Sequence, residues 1–151
     1  MDWTGAESMK AILKSDLATV SLNMDIYKLW LSALGALFIL MLTGLLNFHD
    51  VIAQQDTVVH AFFIAAFVAV PLALIFVGMT WTLQLTVYED EMRMLEQSHT
   101  MSPVQFESMF RLNRGRIANK RHAGMMFLLV GGLFSFIALG AITSAACVMI
   151  G

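Results

Sequence analysis

Charged residues are scarce in this sequence and are missing altogether from three long stretches. Of the 151 residues, 13% are charged and 58% are hydrophobic, whereas soluble domains average about 25% charged and about 45–50% apolar residues. The stretches 29–48, 57–79 and 123–150 contain no Asp, Glu, Lys or Arg. A soluble monomer of this length has too little polar surface to cover such stretches. The composition therefore excludes an ordinary soluble domain and indicates an integral membrane protein.

Cysteine is nearly absent, and so are titratable groups inside the apolar stretches. The single cysteine, Cys147, excludes an internal disulfide, a paired-cysteine redox centre and a multi-cysteine metal site. Apart from His60, near one end, the three stretches have no acidic or basic side chain. Proton relays, ion pumps and voltage sensors need such groups within the bilayer. The sequence therefore disfavours a coupled transporter built from this chain alone, and with no catalytic motif present we expect a non-enzymatic protein.

The lengths of the apolar stretches predict an all-α protein with three transmembrane helices. About 20 helical residues cross the hydrocarbon core, at about 1.5 Å per residue. We place the first span at 29–48, a short outer loop at 49–56, and the second span with its extension at 57–88. A helical hairpin is expected over 89–122 and the third span over 123–151. Pro71 lies inside the second span and predicts a kink there.

Two polar segments flank these spans. In 89–122, Ser102 is expected to cap a new helix, with Pro103 at its first position and Gln105 completing a capping box. In 1–28, apolar residues recur with helical spacing, which predicts an amphipathic helix on the membrane surface or against a partner. The residues of that apolar face are Met9, Ile12, Leu13, Leu17 and Val20.

The distribution of basic residues predicts the orientation. Of the nine Lys and Arg residues, three precede the first span and the other six lie between the second and third spans. By the positive-inside rule, the N-terminus and the hairpin are cytoplasmic and the C-terminus is periplasmic. We expect a bacterial inner membrane, although an organellar inner membrane satisfies the same rule.

Small residues form stripes in the second and third spans. Such stripes let helix backbones approach closely in lipid. They either hold the helices of one chain together or, for the third span in particular, face another subunit. The stripe residues are Ala61, Ala65, Ala69 and Ala73 in the second span, and Gly124, Gly131, Ser135 and Ala138 in the third.

A basic run lies just before the third span, and an acidic arm precedes it in the same polar segment. The run comprises Arg111, Arg114, Arg116, Lys120 and Arg121, and we expect it to contact lipid headgroups or an acidic partner. Nucleic acid is not expected, because aromatic residues do not interleave the run. The acidic residues of the arm are Glu89, Asp90, Glu91 and Glu96. They are expected to form a solvated charged face. Pairing with the basic run across the hairpin and acid–base chemistry by paired carboxylates are the alternatives.

The outer loop offers the one candidate metal site. His49, Asp50, Asp56 and His60 combine imidazole and carboxylate ligands, but their spacing matches no established motif, and capping or solvation of helix ends explains them as well. No cofactor is assigned.

These features give one leading hypothesis and two alternatives. The leading hypothesis is a non-enzymatic membrane subunit that assembles by helix packing, either with copies of itself or in a larger membrane complex. The first alternative is a homo-oligomeric channel or holin-like pore, lined by hydroxyl groups and backbone carbonyls. The second is a membrane enzyme with a metal at the outer loop.

Overall fold

Three long α-helices make up the protein. The computed structural model describes residues 3–53 and 57–150, and within them the helices are α1 (Trp3–Ala53), α2 (Thr57–Gln97) and α3 (Pro103–Ile150), with no strand. All three are long and apolar enough to cross a membrane, which confirms an all-α fold with three candidate spans. The stretch 80–88 alternates polar and apolar residues like a strand, yet it is helical, as predicted.

The first helix differs from the expectation of two separate segments. It continues unbroken through the predicted N-terminal segment and the first span, since residues 20–34 contain neither Gly nor Pro to interrupt it. Leu13, Leu17 and Val20 are buried within the chain, while Ile12 is 40% exposed. The apolar face predicted for a membrane surface or a partner thus lies largely against the chain's own hairpin.

The hairpin between α2 and α3 forms with the predicted capping box. The α2 helix continues through Pro71 and ends at Gln97, and backbone bonds such as Ser98 N–H to Met94 C=O (3.0 Å) form the turn. The Ser102 amide then donates to Gln105 Oε1 at 3.2 Å, and the Gln105 amide donates to Ser102 Oγ at 3.4 Å. Two amides that the helix cannot satisfy are thereby bonded.

Buried residues of α2 follow a seven-residue repeat. One series is Val59, Ala66, Ala73, Thr80, Val87 and Met94; a second is Val70, Val77, Gln84 and Glu91, continued by Ser98 in the turn. The two series alternate at spacings of three and four residues, which is the pattern of helices packed side by side as in coiled coils. The repeat determines which residues of α2 face the other helices.

The chain forms two compact units, and each helix contributes to both. The first, here called the polar unit, comprises residues 1–28 and 79–126; the second, the apolar unit, comprises residues 29–78 and 127–151. The core of the polar unit consists of Ala6, Leu13, Val20, Val87, Met94, Phe106, Phe110 and Ile117. The cores of the apolar unit are built from Leu34, Ala73 and Val77, and from Ala69, Val70 and Ala138.

Within the apolar unit, α2 and α3 approach closely at Gly131. A Cβ atom at this position would lie 2.9 Å from Val77 Cγ2 and 3.3 Å from the Val77 backbone nitrogen. Next to this contact, the rings of Phe76 and Phe134 stack with centroids 5.9 Å apart. Gly131 therefore occupies a place in the packing that a larger residue would disturb.

Candidate functional site

A cluster of charged side chains joins all three helices inside the polar unit. Arg121 on α3 contacts Glu91 on α2 at 2.6 Å (Nη2 to Oε1) and Asp16 on α1 at 3.3 Å (Nη2 to Oδ2). We call Asp16, Glu91 and Arg121 the charge cluster. One guanidinium thus serves two carboxylates, and the three contacting groups carry a net charge of −1 when all are ionised.

Glu91 is the buried member of the charge cluster. The residue is 1% exposed, whereas the side chains of Asp16 and Arg121 are 38% and 37% exposed. Glu91 Oε2 and Arg121 Nε are buried and have no hydrogen-bond partner among the described residues. Burial raises the pKa of the Glu91 carboxyl above its ordinary value, and Asp16 and Asp90 add to the rise, while Arg121 opposes it.

A second ion pair lies beside the charge cluster. Lys120 Nζ donates to Asp90 Oδ2 at 2.6 Å, again between α3 and α2. Asp90 and Glu91 thus pair with the basic run across the hairpin, as the alternative interpretation predicted. The expectation of a solvated acidic face is wrong for Glu91, because its position in the heptad repeat of α2 turns it into the core.

The other members of the basic run have local contacts. Arg111 pairs with Glu107 one turn earlier, at 2.7 Å. The Arg114 guanidinium lies 5.5 Å from the centroid of the Phe110 ring. Arg111, Arg114 and Arg116 are exposed, so these three arginines, rather than Lys120 and Arg121, present positive charge at the surface of the polar unit.

The charge cluster opens onto a cleft of about 200 Å³ within the polar unit. Its apolar wall is formed by Leu13, Met94, Phe110, Ile117 and Ala118, and its charged wall by Asp16, Glu91, Arg114 and Arg121. The volume is large enough for ordered water beside Glu91. The chemistry available at this site is proton exchange and charge pairing.

Of the four predicted metal residues, the structure describes the side chains of Asp50 and His60. Asp50 is exposed near the end of α1 and His60 is half-buried in the first turn of α2, while the His49 side chain and Asp56 lie outside the described residues. Among the residues that are described, no group of three or more His, Cys, Asp or Glu side chains is placed to hold a metal ion.

The two small-residue stripes differ in burial. In the second span, Ala69 and Ala73 are buried, Ala65 is half-buried and Ala61 is exposed. In the third span all four stripe residues, Gly124, Gly131, Ser135 and Ala138, are buried inside the chain. A second subunit would therefore have to contact some other surface than the third-span stripe.

Hydroxyl groups of the apolar stretches are bonded to the helix backbone. Thr43 donates to Ile39 C=O at 2.9 Å, and Ser135 donates to Gly131 C=O at 2.9 Å. Thr143 donates likewise to the Leu139 carbonyl at 2.9 Å. These bonds satisfy the hydroxyl hydrogens within one helix, as is common for Ser and Thr in lipid.

Sequence reasoning offered pairing across the hairpin but missed the burial of Glu91 and the contribution of Asp16, although a signal for the burial exists. Thr80, Gln84, Val87, Glu91 and Met94 keep the alternating spacing of three and four residues that begins in the second span. Extending that repeat past Tyr88 would have placed Glu91 in the core. The partners lie at the same spacing on their own helices. Asp16 is three residues after the buried Leu13, and Arg121 is four residues after the buried Ile117.

Comparison with known proteins yields no match: no family model, no curated protein and no solved structure corresponds to this chain. The function proposed next therefore rests on the chain's own residues.

Proposed function

We propose that this chain is a non-enzymatic membrane subunit that assembles with further copies of itself through α1. The supporting observation is the small fraction of α1 that the chain covers. In the most apolar stretch of each helix, 6% of the residues are buried for α1, against 28% for α2 and 22% for α3. One side of the α1 span, with Trp30, Leu37 and Phe38 among its half-buried residues, packs on the chain's own cores, and the other side is left for lipid or for another helix.

The exposed side of α1 carries a regular uncharged series, here called the α1 face. Its members are Ile12, Ser15, Thr19, Leu22, Ile26, Leu29, Ala33, Ala36, Leu40, Thr43 and Asn47, all of them exposed. They alternate at spacings of three and four residues, the pattern of a helix–helix seam. The other sides of α1 within 5–28 carry charged residues of both signs. The exposed surface of α2 in the polar unit is charged as well, for example at Glu89 and Arg93.

A second copy of the chain suits the α1 face. Two copies inserted with the same orientation have parallel α1 helices, so each residue of a symmetric contact meets its own counterpart or a near neighbour. Like charges would repel in that arrangement, and the α1 face has none. Ala33 and Ala36 permit close approach of backbones, and an Asn at such a position, here Asn47, favours a defined register.

The proposed location is an inner membrane with the polar unit in the cytoplasm. All nine Lys and Arg residues of the chain belong to the polar unit, and the positive-inside rule assigns such segments to the cytoplasmic side. The exposed Arg111, Arg114 and Arg116 would then attract anionic headgroups, by about 1 kcal/mol each near the membrane surface.

Self-association is tested by the mass of the full-length protein in mild detergent. We expect a dimer or higher oligomer, and we expect Ala36→Leu to shift the protein toward monomer, because the added bulk separates the helices. Ala61→Leu is the matched control, since Ala61 is exposed on α2, and it should leave the mass unchanged. A monomeric wild-type protein, or equal effects of the two substitutions, would contradict the proposal. Co-purification of a different membrane protein at a fixed ratio would also contradict self-association and would show a heteromeric complex instead.

A further inference from the structure

We infer that the charge cluster is a proton-binding site, at which protonation of Glu91 tightens the hold of α1 on the hairpin of α2 and α3. The inference concerns the polar unit alone and does not depend on self-association. It rests on the arrangement of Asp16, Glu91 and Arg121, one from each helix.

The first step is the division of one positive charge between two carboxylates. Arg121 is 2.6 Å from Glu91 and 3.3 Å from Asp16, so the shorter contact goes to α2 and the longer to α1. While Glu91 is ionised, it competes with Asp16 for the Arg121 guanidinium, and the two carboxylates repel each other. Both effects weaken the ionic contact that ties α1 to α3.

The second step is the unsatisfied oxygen of Glu91. Its Oε1 accepts from Arg121, whereas its Oε2 is buried without a partner in the described structure. An ionised oxygen in that state is costly, because burial removes its water without replacing the hydrogen bonds. A proton on Oε2 removes the charge and leaves the Oε1 contact in place, and the adjoining cleft is large enough for a water molecule to deliver that proton.

The other charged groups near Glu91 come from all three helices. On α2 the neighbour Asp90 is paired with Lys120 of α3 at 2.6 Å. On α3 Arg114 lines the same cleft, with its guanidinium over the Phe110 ring. On α1 the facing group is Asp16. When Glu91 takes up a proton, Arg121 and Asp16 remain as a balanced pair between α3 and α1.

The pH dependence has a definite sign. The pKa of Glu91 is raised in the folded protein, chiefly by burial, so the folded form holds the proton more tightly than a solvated glutamate would. Its contribution to stability is complete in acid, below the ordinary carboxyl pKa, and is lost as the pH rises through the raised pKa. Mild acidification should therefore strengthen the attachment of α1.

The experiment is hydrogen exchange of α1 residues 10–24 in the full chain in lipid nanodiscs, corrected for intrinsic exchange rates. From alkaline to mildly acidic pH, wild-type protection should rise by up to about tenfold per pH unit within the titration range. Glu91→Gln, which mimics the protonated state, should give high protection that does not vary with pH. Glu89→Gln, the exposed acid on the same helix, should behave as wild type.

A spectroscopic readout makes the assignment independent of stability. The infrared band of a protonated carboxylic acid should grow in wild type over the same pH range, and it should be absent in Glu91→Gln. Asp16→Asn should retain the band and weaken the pH dependence of α1 protection without abolishing it, because burial is the chief cause of the raised pKa of Glu91. Wild-type protection that does not vary with pH, or an unchanged band in Glu91→Gln, would overturn the inference.

Discussion

The two units of this molecule bury different side chains, and the difference is the one expected if water surrounds the polar unit and lipid surrounds the apolar unit. The polar unit buries large residues such as Phe106 and Leu13 together with the charged Glu91, whereas the apolar unit buries Ala69, Val70 and Ala73. In water, burial of large apolar groups drives packing. In lipid that drive is lost, and helices associate where small residues allow close contact. The same three helices thus meet by two different means.

The two units also differ in how α1 is attached to the rest of the chain. In the polar unit, α1 is held by core contacts and by the Asp16–Arg121 ion pair. In the apolar unit, α1 contributes Leu34 to one core, and its half-buried Leu37, Phe38 and Met41 pack against the other, while the opposite side of the helix is exposed. Substitutions in one unit should therefore affect the other less than they affect their own.

The largest expected effect is removal of the cation from the charge cluster. Arg121→Met leaves the buried Glu91 carboxylate facing Asp16 without a counter-ion. We expect a loss of about 3 kcal/mol in the stability of the hairpin, the low end for breaking a buried pair because Arg121 is partly exposed. Native-state hydrogen exchange of residues 87–97 in micelles measures it.

Two further variants sharpen that result. Lys28→Met removes an exposed ion pair with Asp25 at 3.3 Å and should cost less than about 1 kcal/mol. Combining Glu91→Gln with Arg121→Met should restore most of the lost stability, since the buried charge is then gone. If the double variant is as unstable as Arg121→Met alone, the lost stability comes from side-chain packing rather than from an uncompensated charge.

A smaller effect is expected at the close approach in the apolar unit. Gly131→Ala places a Cβ 2.9 Å from Val77 Cγ2, so the helices must separate or Val77 must shift. Overpacking of this kind costs about 1–3 kcal/mol, measured as resistance of the protein to unfolding in denaturing detergent. Gly140→Ala is the control, since its Cβ would meet nothing within 4 Å; equal effects would show that Gly131 is not a close-contact position.

The smallest effect is expected at the start of α3. Ser102→Ala removes the cap of the Gln105 amide and should cost about 1 kcal/mol of local helix stability. Exchange of the amides that follow Pro103, in residues 104–106, reports this directly. Ser108→Ala is the comparison, because the Ser108 hydroxyl donates to the Gln105 carbonyl inside the same helix. Faster exchange at residues 104–106 in both variants would argue against a specific cap.

The features that sequence reasoning predicted well are those with local causes. Ser102, Pro103 and Gln105 define the start of α3 because a capping box involves residues within one turn. The three candidate spans follow from uncharged stretches long enough to cross lipid, which is a property of composition alone. Neither inference requires knowledge of which helix contacts which.

Features that depend on contacts between distant parts of the chain were missed. The continuity of α1 through residues 20–29 was overlooked because charge and hydropathy change there while helix propensity does not. The burial of Glu91 was missed because the heptad repeat of α2 was not extended past Tyr88, and the contact of Arg121 with Asp16 joins residues that are far apart in the sequence. For the third-span stripe, the sequence left open whether it packs within the chain or against another subunit, because only the folded structure shows that Gly131 meets Val77.

The account depends most on the apolar unit lying in lipid and the polar unit lying in cytoplasmic water. In a Cys147→Ala background, single cysteines at the exposed positions Asn119 and Leu133 can be tested with a membrane-impermeant thiol reagent on oriented vesicles. The account predicts that Asn119→Cys is labelled from the cytoplasmic side alone and that Leu133→Cys is labelled from neither side. Labelling of Leu133→Cys from water, or of Asn119→Cys from the outer side, would contradict it.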